Sequence, residues 1–461
     1  MAKKLFGTDG IRGETNQFPI TAQNIIKIAQ CFGVILKKRY SHYHHHKILI
    51  GKDTRASGYM IENALSSGFT SMGIDVLFVG PLPTPGIAYF TTGLRASAGI
   101  MISASHNPYH DNGIKFFDKN GYKVSNDIEK DIEKLFFSQD INFLQDKLVP
   151  PKDIGKAKRI DDAIGQYSVF LKESFPKRLK LDGLKIILDT AHGAGYKVAP
   201  KVFSELGADI HIINQSPNGF NINENCGALF PSKLQKDVIE KKAHLGIAFD
   251  GDADRIILVD DKGQIVDGDE ILAICAIYLR DKGILKNNAV CSTIMSNLGL
   301  KDVLSSHGIN LVISNVGDRF VLEKMLDHKL VLGGEPSGHI IFLDQNTTGD
   351  PFIAALKILE IMIEKKKSLS ELAKIMTHIP QKTKSIPISK KPPLENLTKT
   401  NIALKNFEKQ LKDKGRILLR YSGTEKKARL TVECQDEIKL DDIIDEVEHV
   451  LKKEINEYQE A

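Results

Sequence analysis

Three carboxylates alternate along Asp250, Asp252 and Asp254, in the stretch DGDADR that follows the apolar run LGIAF at 245–249. Read as ionised at pH 7, two carboxylates about 5 Å apart repel by roughly 3 kcal/mol at an effective dielectric near 20. A compact loop needs a cation to hold three of them. Hard oxygen ligands favour Mg²⁺ or Ca²⁺ over zinc. The spacing could open an EF-hand, but Arg255 stands where that loop needs Gly and Asp261 where it needs Glu. A Mg²⁺ site with positions left for a phosphate oxygen and water fits better.

Four further stretches carry usable chemistry. In SASHNP, at 103–108, Ser105 and His106 follow an apolar strand pattern and Pro108 ends it, which puts a hydroxyl at a strand-end loop where ligands bind in α/β folds. Taken singly, such a serine is usually a turn residue; His106 could orient it or neutralise charge on it. GGEPSGH, at 333–339, brackets Glu335 and Ser337 with glycines, which allows close approach to sugar hydroxyls. RYSGTE, at 420–425, offers Ser422, Gly423 and Thr424 in a turn, with Arg420 and Arg429 able to grip a phosphate and Lys426 and Lys427 adding positive potential. FGTDGIRG, near the N-terminus, sets Arg12 among glycines, within reach of a phosphate. There is no G-x-x-x-x-G-K-[ST], no early G-x-G-x-x-G and no G-x-S-x-G, so nucleotide-kinase, dinucleotide and α/β-hydrolase sites are not expected.

The elements that must position these loops follow from periodicity. Apolar runs at 47–51, 75–79 and 98–102 alternate with helical patterns at 58–72 and 86–93. A second set has strands at 185–189, 209–213 and 245–249 with a helix near 194–206. A third has strands at 289–294, 310–314, 330–333 and 339–343 with helices at 297–307 and 318–327. Alternation of this kind predicts three similar α/β units with mainly parallel sheets. Residues 380–400, rich in Lys and Pro, read as a linker or the entry to a smaller α+β domain. That domain has a helix at 400–413, strands at 416–421 and 428–434, and a closing helix from 440. The expected domains are 1–155, 156–257, 258–378 and 379–461.

The chain has 461 residues, 42% hydrophobic and 26% charged, with a formal net charge of +5 and no Trp. Neither a basic aromatic stripe for nucleic acid nor an apolar run of membrane-spanning length is present. Its five cysteines are scattered and form no C-x-x-C, so a reducing compartment is the simplest expectation. The stretch from Met1 to Gly7 lacks an apolar h-region, so a cytoplasmic protein is expected. The patch His42–Tyr43–His44–His45–His46 reads as a solvated loop.

The five motif stretches, in this order and at these approximate spacings, resemble the α-D-phosphohexomutase superfamily, and the resemblance spans the whole chain. FGTDGIRG, VGDRFV at 316–321 and NTTGD at 346–350 are most similar to its bacterial phosphoglucosamine mutases. Pro336 stands where those enzymes usually carry Gln, inside the sugar-reading loop, and Tyr421 and Lys426 stand where many members have Pro.

The resemblance implies four domains around a central cleft, with Ser105 as a phosphoserine. It implies one Mg²⁺ per chain, on Asp250, Asp252, Asp254 and the phosphoserine. Glucosamine 6-phosphate and glucosamine 1-phosphate would interconvert through a glucosamine 1,6-bisphosphate intermediate. Lys115 and His339 are the acid/base candidates by family position, and Arg12 joins the catalytic set. Arg255, Glu335, Ser337, Arg420, Ser422, Gly423, Thr424 and Arg429 would bind substrate. Apolar neighbours in DNGIKFF suggest that burial lowers the pKa of Lys115. The partner implied is a phosphosugar, with no nucleic acid or membrane, and a homodimer is the family's pattern. The alternatives are a phosphomannomutase/phosphoglucomutase and, further off, a Mg²⁺-dependent sugar-phosphate phosphatase.

Overall fold

The computed structural model describes residues 4–7, 9–138, 142–422 and 426–458. The chain divides into two compact units. One runs to Met295 and includes His307–Ile375; the other joins Ser296–Ser306 to the chain from Met376 onward.

The first unit holds three sheets. Strands β1 (Ile11–Glu14), β2 (Lys47–Lys52), β3 (Asp75–Pro81), β4 (Ala98–Ile102), β5 (Asp111–Asp118) and β6 (Ala157–Arg159) form one in the order β1-β5-β4-β2-β3-β6. Here β2, β3, β4 and β6 run parallel, while β5 is antiparallel to β4 and β1. Strands β7 (Lys185–Asp189), β8 (Asp209–Ile213), β9 (Leu245–Phe249), β10 (Ile256–Asp260) and β11 (Ile265–Val266) form the second, ordered β11-β10-β9-β7-β8. Strands β12 (Ala289–Thr293), β13 (Asn310–Ser314), β14 (Leu332–Gly334) and β15 (Ile340–Phe342) form the third, ordered β13-β12-β14-β15.

In the second unit, β16 (Gln381–Pro387), β17 (Gly415–Tyr421) and β18 (Lys427–Cys434) form an antiparallel sheet ordered β16-β18-β17. Helices Thr398–Leu411 and Glu437–Glu457 accompany it.

Central strands β4 and β9 are buried along their whole length, so both faces of their sheets are covered. Helix boundaries follow local chemistry. The helix Gly268–Asp281 opens on a capping box between Asp267 and Glu270. In Pro351–Lys365 the Asp350 side chain accepts from the N–H groups of Phe352 and Ile353, and Pro351 fits the first turn.

Two sheets run past the positions where domain boundaries are expected. The first sheet takes in β6 at 157–159, past the expected boundary at 155, because this short segment pairs in parallel with the edge strand β3. The second sheet runs past 257, because the chain leaves the acidic loop as β10 and returns antiparallel along β9. Residues 380–400 are the entry to the smaller α+β domain rather than a linker: they contain β16, which pairs along its whole length with β18, and their prolines sit at the strand's last position or outside it. The five cysteines are free and buried, and none of the described helices is long and apolar enough to cross a membrane.

Phe249, at the end of β9, stacks on Phe352 at 4.8 Å between ring centroids, and Tyr167 meets Phe352 edge-on at 6.2 Å. Both phenylalanines are fully buried. Phe352→Ala should therefore lower stability by about 3–5 kcal/mol. A urea titration followed by circular dichroism checks this, since the chain lacks Trp.

Candidate active site

Ser105 sits in the turn after β4 with φ at +53°, the left-handed region that side chains other than Gly seldom adopt. The surroundings hold it there. Its N–H donates to Ser103 Oγ (2.8 Å), and its carbonyl accepts from Arg55 Nη2 (3.0 Å) and Asn223 Nδ2 (2.9 Å). Arg55 is itself fixed by Asp53 (2.8 Å), whose carboxylate also accepts from Ser103 Oγ (2.6 Å).

The acidic loop between β9 and β10 reaches this serine. Ser105 Oγ donates to Asp250 Oδ2 at 2.8 Å. The approach depends on Gly251, where a Cβ would lie 2.6 Å from the Ser105 carbonyl oxygen. Ligand atoms of Asp250, Asp252 and Asp254 lie within 4.8 Å of one another, and all three residues are buried. Burial first, then repulsion from Asp254 and Asp252, pushes the Asp250 carboxyl up to about 8. The expectation that all three are ionised at pH 7 is thus corrected: without a cation, one of them keeps its proton. Among the described residues, buried Asp252 Oδ1 and Asp254 Oδ1 have no hydrogen-bond partner. Crowded carboxylates with unpartnered oxygens fit a hard divalent cation.

Lys115, on β5, is buried, with Nζ 2.6 Å from Asp252, 3.0 Å from Asp254 and 3.3 Å from Asp9. Burial alone would depress its pKa, as expected from its apolar neighbours. The three carboxylates outweigh burial, and the pKa is raised well above the usual lysine value. The expectation of a lowered pKa is therefore overturned.

His339, after the 333–339 loop, accepts from the Gly349 N–H at Nε2 (3.1 Å). In that tautomer the ring proton lies on Nδ1, which is 3.9 Å from Asp254 Oδ1, an electrostatic contact rather than a hydrogen bond. Burial would lower its pKa, but Asp254, Asp318 and Glu335 outweigh it and the shift is upward.

His106 does not serve as a charge partner. Burial and the nearby Arg255 and Arg12 push it down to about 4, so it is neutral at pH 7. Its Nδ1 lies 3.3 Å from Arg255 Nη1 and 3.5 Å from Ser105 Oγ. Arg255 also anchors the loop, its N–H donating to Asp250 Oδ1 at 3.2 Å.

The structure brings Ser105, Lys115, the three aspartates, Arg255 and His339 together, with Arg12 joined through its ion pair to Asp9. Glu335 is buried and accepts from the Gly317 N–H (3.0 Å), while Ser337 is exposed. Gly338, with φ at +90° and a virtual Cβ 1.8 Å from the Ile256 carbonyl oxygen, admits no side chain.

In the second unit, Arg420 and Arg429 face each other across β17 and β18. Burial and the Arg429 charge lower the Arg420 pKa, and buried Arg429 Nε has no hydrogen-bond partner among the described residues. Like charges directly opposite are destabilising unless an anion joins them. Ser422 is buried, its carbonyl accepting from Lys391 Nζ; Gly423 and Thr424 lie outside the described residues.

Sequence reasoning missed Asp9, Arg55, Thr84, Lys123, Asn223 and Asp318. Asp9 and Asp318 lie inside motifs already singled out, and Asp53 and Arg55 are charges at the end of a buried strand, which is a usable signal. Thr84, which donates to Asp252 Oδ2 at 2.6 Å, carries none.

The chain matches the models for phosphoglucomutase/phosphomannomutase α/β/α domains I, II and III over residues 3–142, 165–263 and 267–379, and for the C-terminal domain over 361–450. It is 48% identical to a phosphoglucosamine mutase of Bdellovibrio bacteriovorus, covering 98% of this chain and 99% of that protein. It is 51% identical to one of Syntrophotalea carbinolica, covering 99% and 98%. Among solved structures, a phosphoglucomutase/phosphomannomutase family protein of Burkholderia thailandensis superposes with a TM-score of 0.80 at 21% identity, covering 98% of this chain and 97% of that one. N-acetylphosphoglucosamine mutase of Aspergillus fumigatus, solved with GlcNAc-6P and magnesium, gives 0.67 at 16%, covering 98% and 96%; at these identities the likeness speaks for the fold. Full-length identity near one half, with all four domain models matched in order, settles what the site geometry alone leaves open: the chain belongs to the phosphoglucomutase/phosphomannomutase family.

Proposed function

We infer that this chain is an isomerase that interconverts glucosamine 6-phosphate and glucosamine 1-phosphate by way of a phosphoserine and glucosamine 1,6-bisphosphate. The single observation that carries the substrate is its identity of 48% and 51%, over nearly the whole chain, to proteins named phosphoglucosamine mutase. The buried Ser105–Asp250 contact, with two more carboxylates beside it, supports the chemistry.

Asp250, Asp252 and Asp254 would hold one Mg²⁺. When bound, it supplies charge neutralisation to the phosphoryl group being transferred. Ser105 carries that group. In the forward direction the Ser105 Oγ–P bond breaks and a bond from phosphorus to sugar O1 forms, giving the bisphosphate. The O1 proton passes to a basic side chain. After the sugar turns over, the O6–P bond breaks and the phosphoryl group returns to Ser105 Oγ, while O6 regains a proton. Lys115 and His339 are the proposed groups that take and return these protons. Two of the three carboxylates that raise the proton affinity of Lys115, Asp252 and Asp254, are ones a bound cation would also engage, so loading the triad would weaken their hold on its proton.

Arg12 and Arg255 would offset phosphoryl charge, and Glu335 and Ser337 would read sugar hydroxyls. The opposed Arg420 and Arg429, with Ser422, Gly423 and Thr424, would grip the phosphate that is not reacting.

Three measurements test the reading. Mass spectrometry should map a phosphate to Ser105, and Ser105→Ala should lose both the phosphate and at least about a thousandfold in kcat; a phosphate on Ser103 instead would move the assignment. Glucosamine 6-phosphate should be converted faster than mannose or glucose 6-phosphate; a clear preference for mannose 6-phosphate would defeat the substrate reading. EDTA should abolish turnover and added Mg²⁺ should restore it; activity that persists through exhaustive chelation would rule out the metal role.

A further inference from the structure

We infer that Lys123 is a positioning residue for the reaction proposed above, holding Asp9 against Lys115 and Asp318 against His339 as one unit; the inference rests on that reading of the site. Lys123 follows β5, where it bridges back to Phe117, and its side chain is 9% exposed. Its ammonium donates to Asp9 Oδ1 and to Asp318 Oδ2. The other oxygen of Asp9 pairs with Arg12 and lies 3.3 Å from Lys115 Nζ. Asp318 Oδ2 lies 3.7 Å from His339 Nε2. Alternating charge thus runs from Lys115 through Asp9, Lys123 and Asp318 to His339, linking both acid/base candidates away from the acidic triad.

The physics makes Lys123 the keystone of this arc. Asp9 and Asp318 are both partly buried anions, their side chains 22% and 17% exposed, and the negative charge of Asp9 opposes ionisation of Asp318. Lys123 touches both and offsets that repulsion. Without its ammonium, two facing carboxylates must part or take up protons, since an uncompensated buried charge is costly. If Asp9 turns away, Lys115 and Arg12 lose a shared anchor. If Asp318 turns away, His339 loses the carboxylate that lies 3.7 Å from its Nε2. Both displacements act on the groups that move protons, so the loss belongs in kcat rather than KM.

The test uses the full-length enzyme and four variants: Lys123→Met, Lys123→Arg, Asp318→Asn and the Lys123→Met/Asp318→Asn double. Rates are expressed per mole of folded protein with a phosphorylated Ser105, as measured by circular dichroism and intact mass. Lys123→Met and Asp318→Asn should each lower kcat about tenfold or more while KM stays within about twofold. The double variant should lose no more than about the worse single, because residues that act as a unit are not additive. Lys123→Arg should recover part of the Lys123→Met loss. Wild-type kcat in Asp318→Asn or in folded Lys123→Met, or losses that multiply in the double, would overturn the inference. The wild-type enzyme assayed alongside separates the two failures. If it does not interconvert glucosamine phosphates, the reaction reading falls; if it does and the variants match it, the role of Lys123 falls.

Discussion

Asp250, Asp252 and Asp254 are buried within ligand distance of one another, and their repulsion is the constraint on which the rest of the first unit's site depends. One response is visible in Asp250, whose carboxyl is pushed up to about 8. Another is Lys115, buried against two of the three carboxylates. A third is the hydroxyl of Thr84 on Asp252, and a fourth the Ser105 hydroxyl on Asp250. Among the described residues, two carboxylate oxygens still have no hydrogen-bond partner. A site so arranged would gain from any hard cation that entered it, and in the proposed reaction a transferring phosphoryl group would gain from the same cation.

The fold meets this constraint by ending strands at the same place. Ser105 follows β4, the aspartates follow β9, and His339 immediately precedes β15. Each loop is short, so the strand before or after it sets where its side chains go. Close backbone approach does the remainder. Gly251 admits the Ser105 carbonyl, and Gly338 admits that of Ile256, at distances where any Cβ would collide.

Much of this was legible in the sequence. β2, β4, β7 and β9 stand out because strands buried along almost their whole length read as short, continuous apolar runs. β16 did not, because a solvent-facing edge strand rich in Lys and Pro looks like a linker. The acidic loop announced itself, since carboxylates at alternate positions after a buried strand are hard to explain otherwise. Ser105 did not announce itself, as a serine in a turn is commonplace. The pKa of Lys115 was misjudged for a definite reason. Local sequence shows the apolar neighbours that bury it, but its partners Asp9, Asp252 and Asp254 are far away in the chain. Lys123 and Asp318 are 195 residues apart, and no local pattern could have joined them.

The Ser105 backbone is pinned on both sides of its Cα: the N–H by Ser103, the carbonyl by Arg55 and Asn223. If Ser105 is the phosphoryl carrier proposed above, a backbone held so firmly would not swing between two ends of a sugar. All the travel in a two-step transfer would then fall to the intermediate. That sugar would carry the enzyme's own phosphoryl group while it turns, so a molecule that escaped midway would leave behind a bare serine and a disabled catalyst. Rigidity at this turn would make retention of the ligand, rather than speed of transfer, the quantity on which the working lifetime of each copy depends.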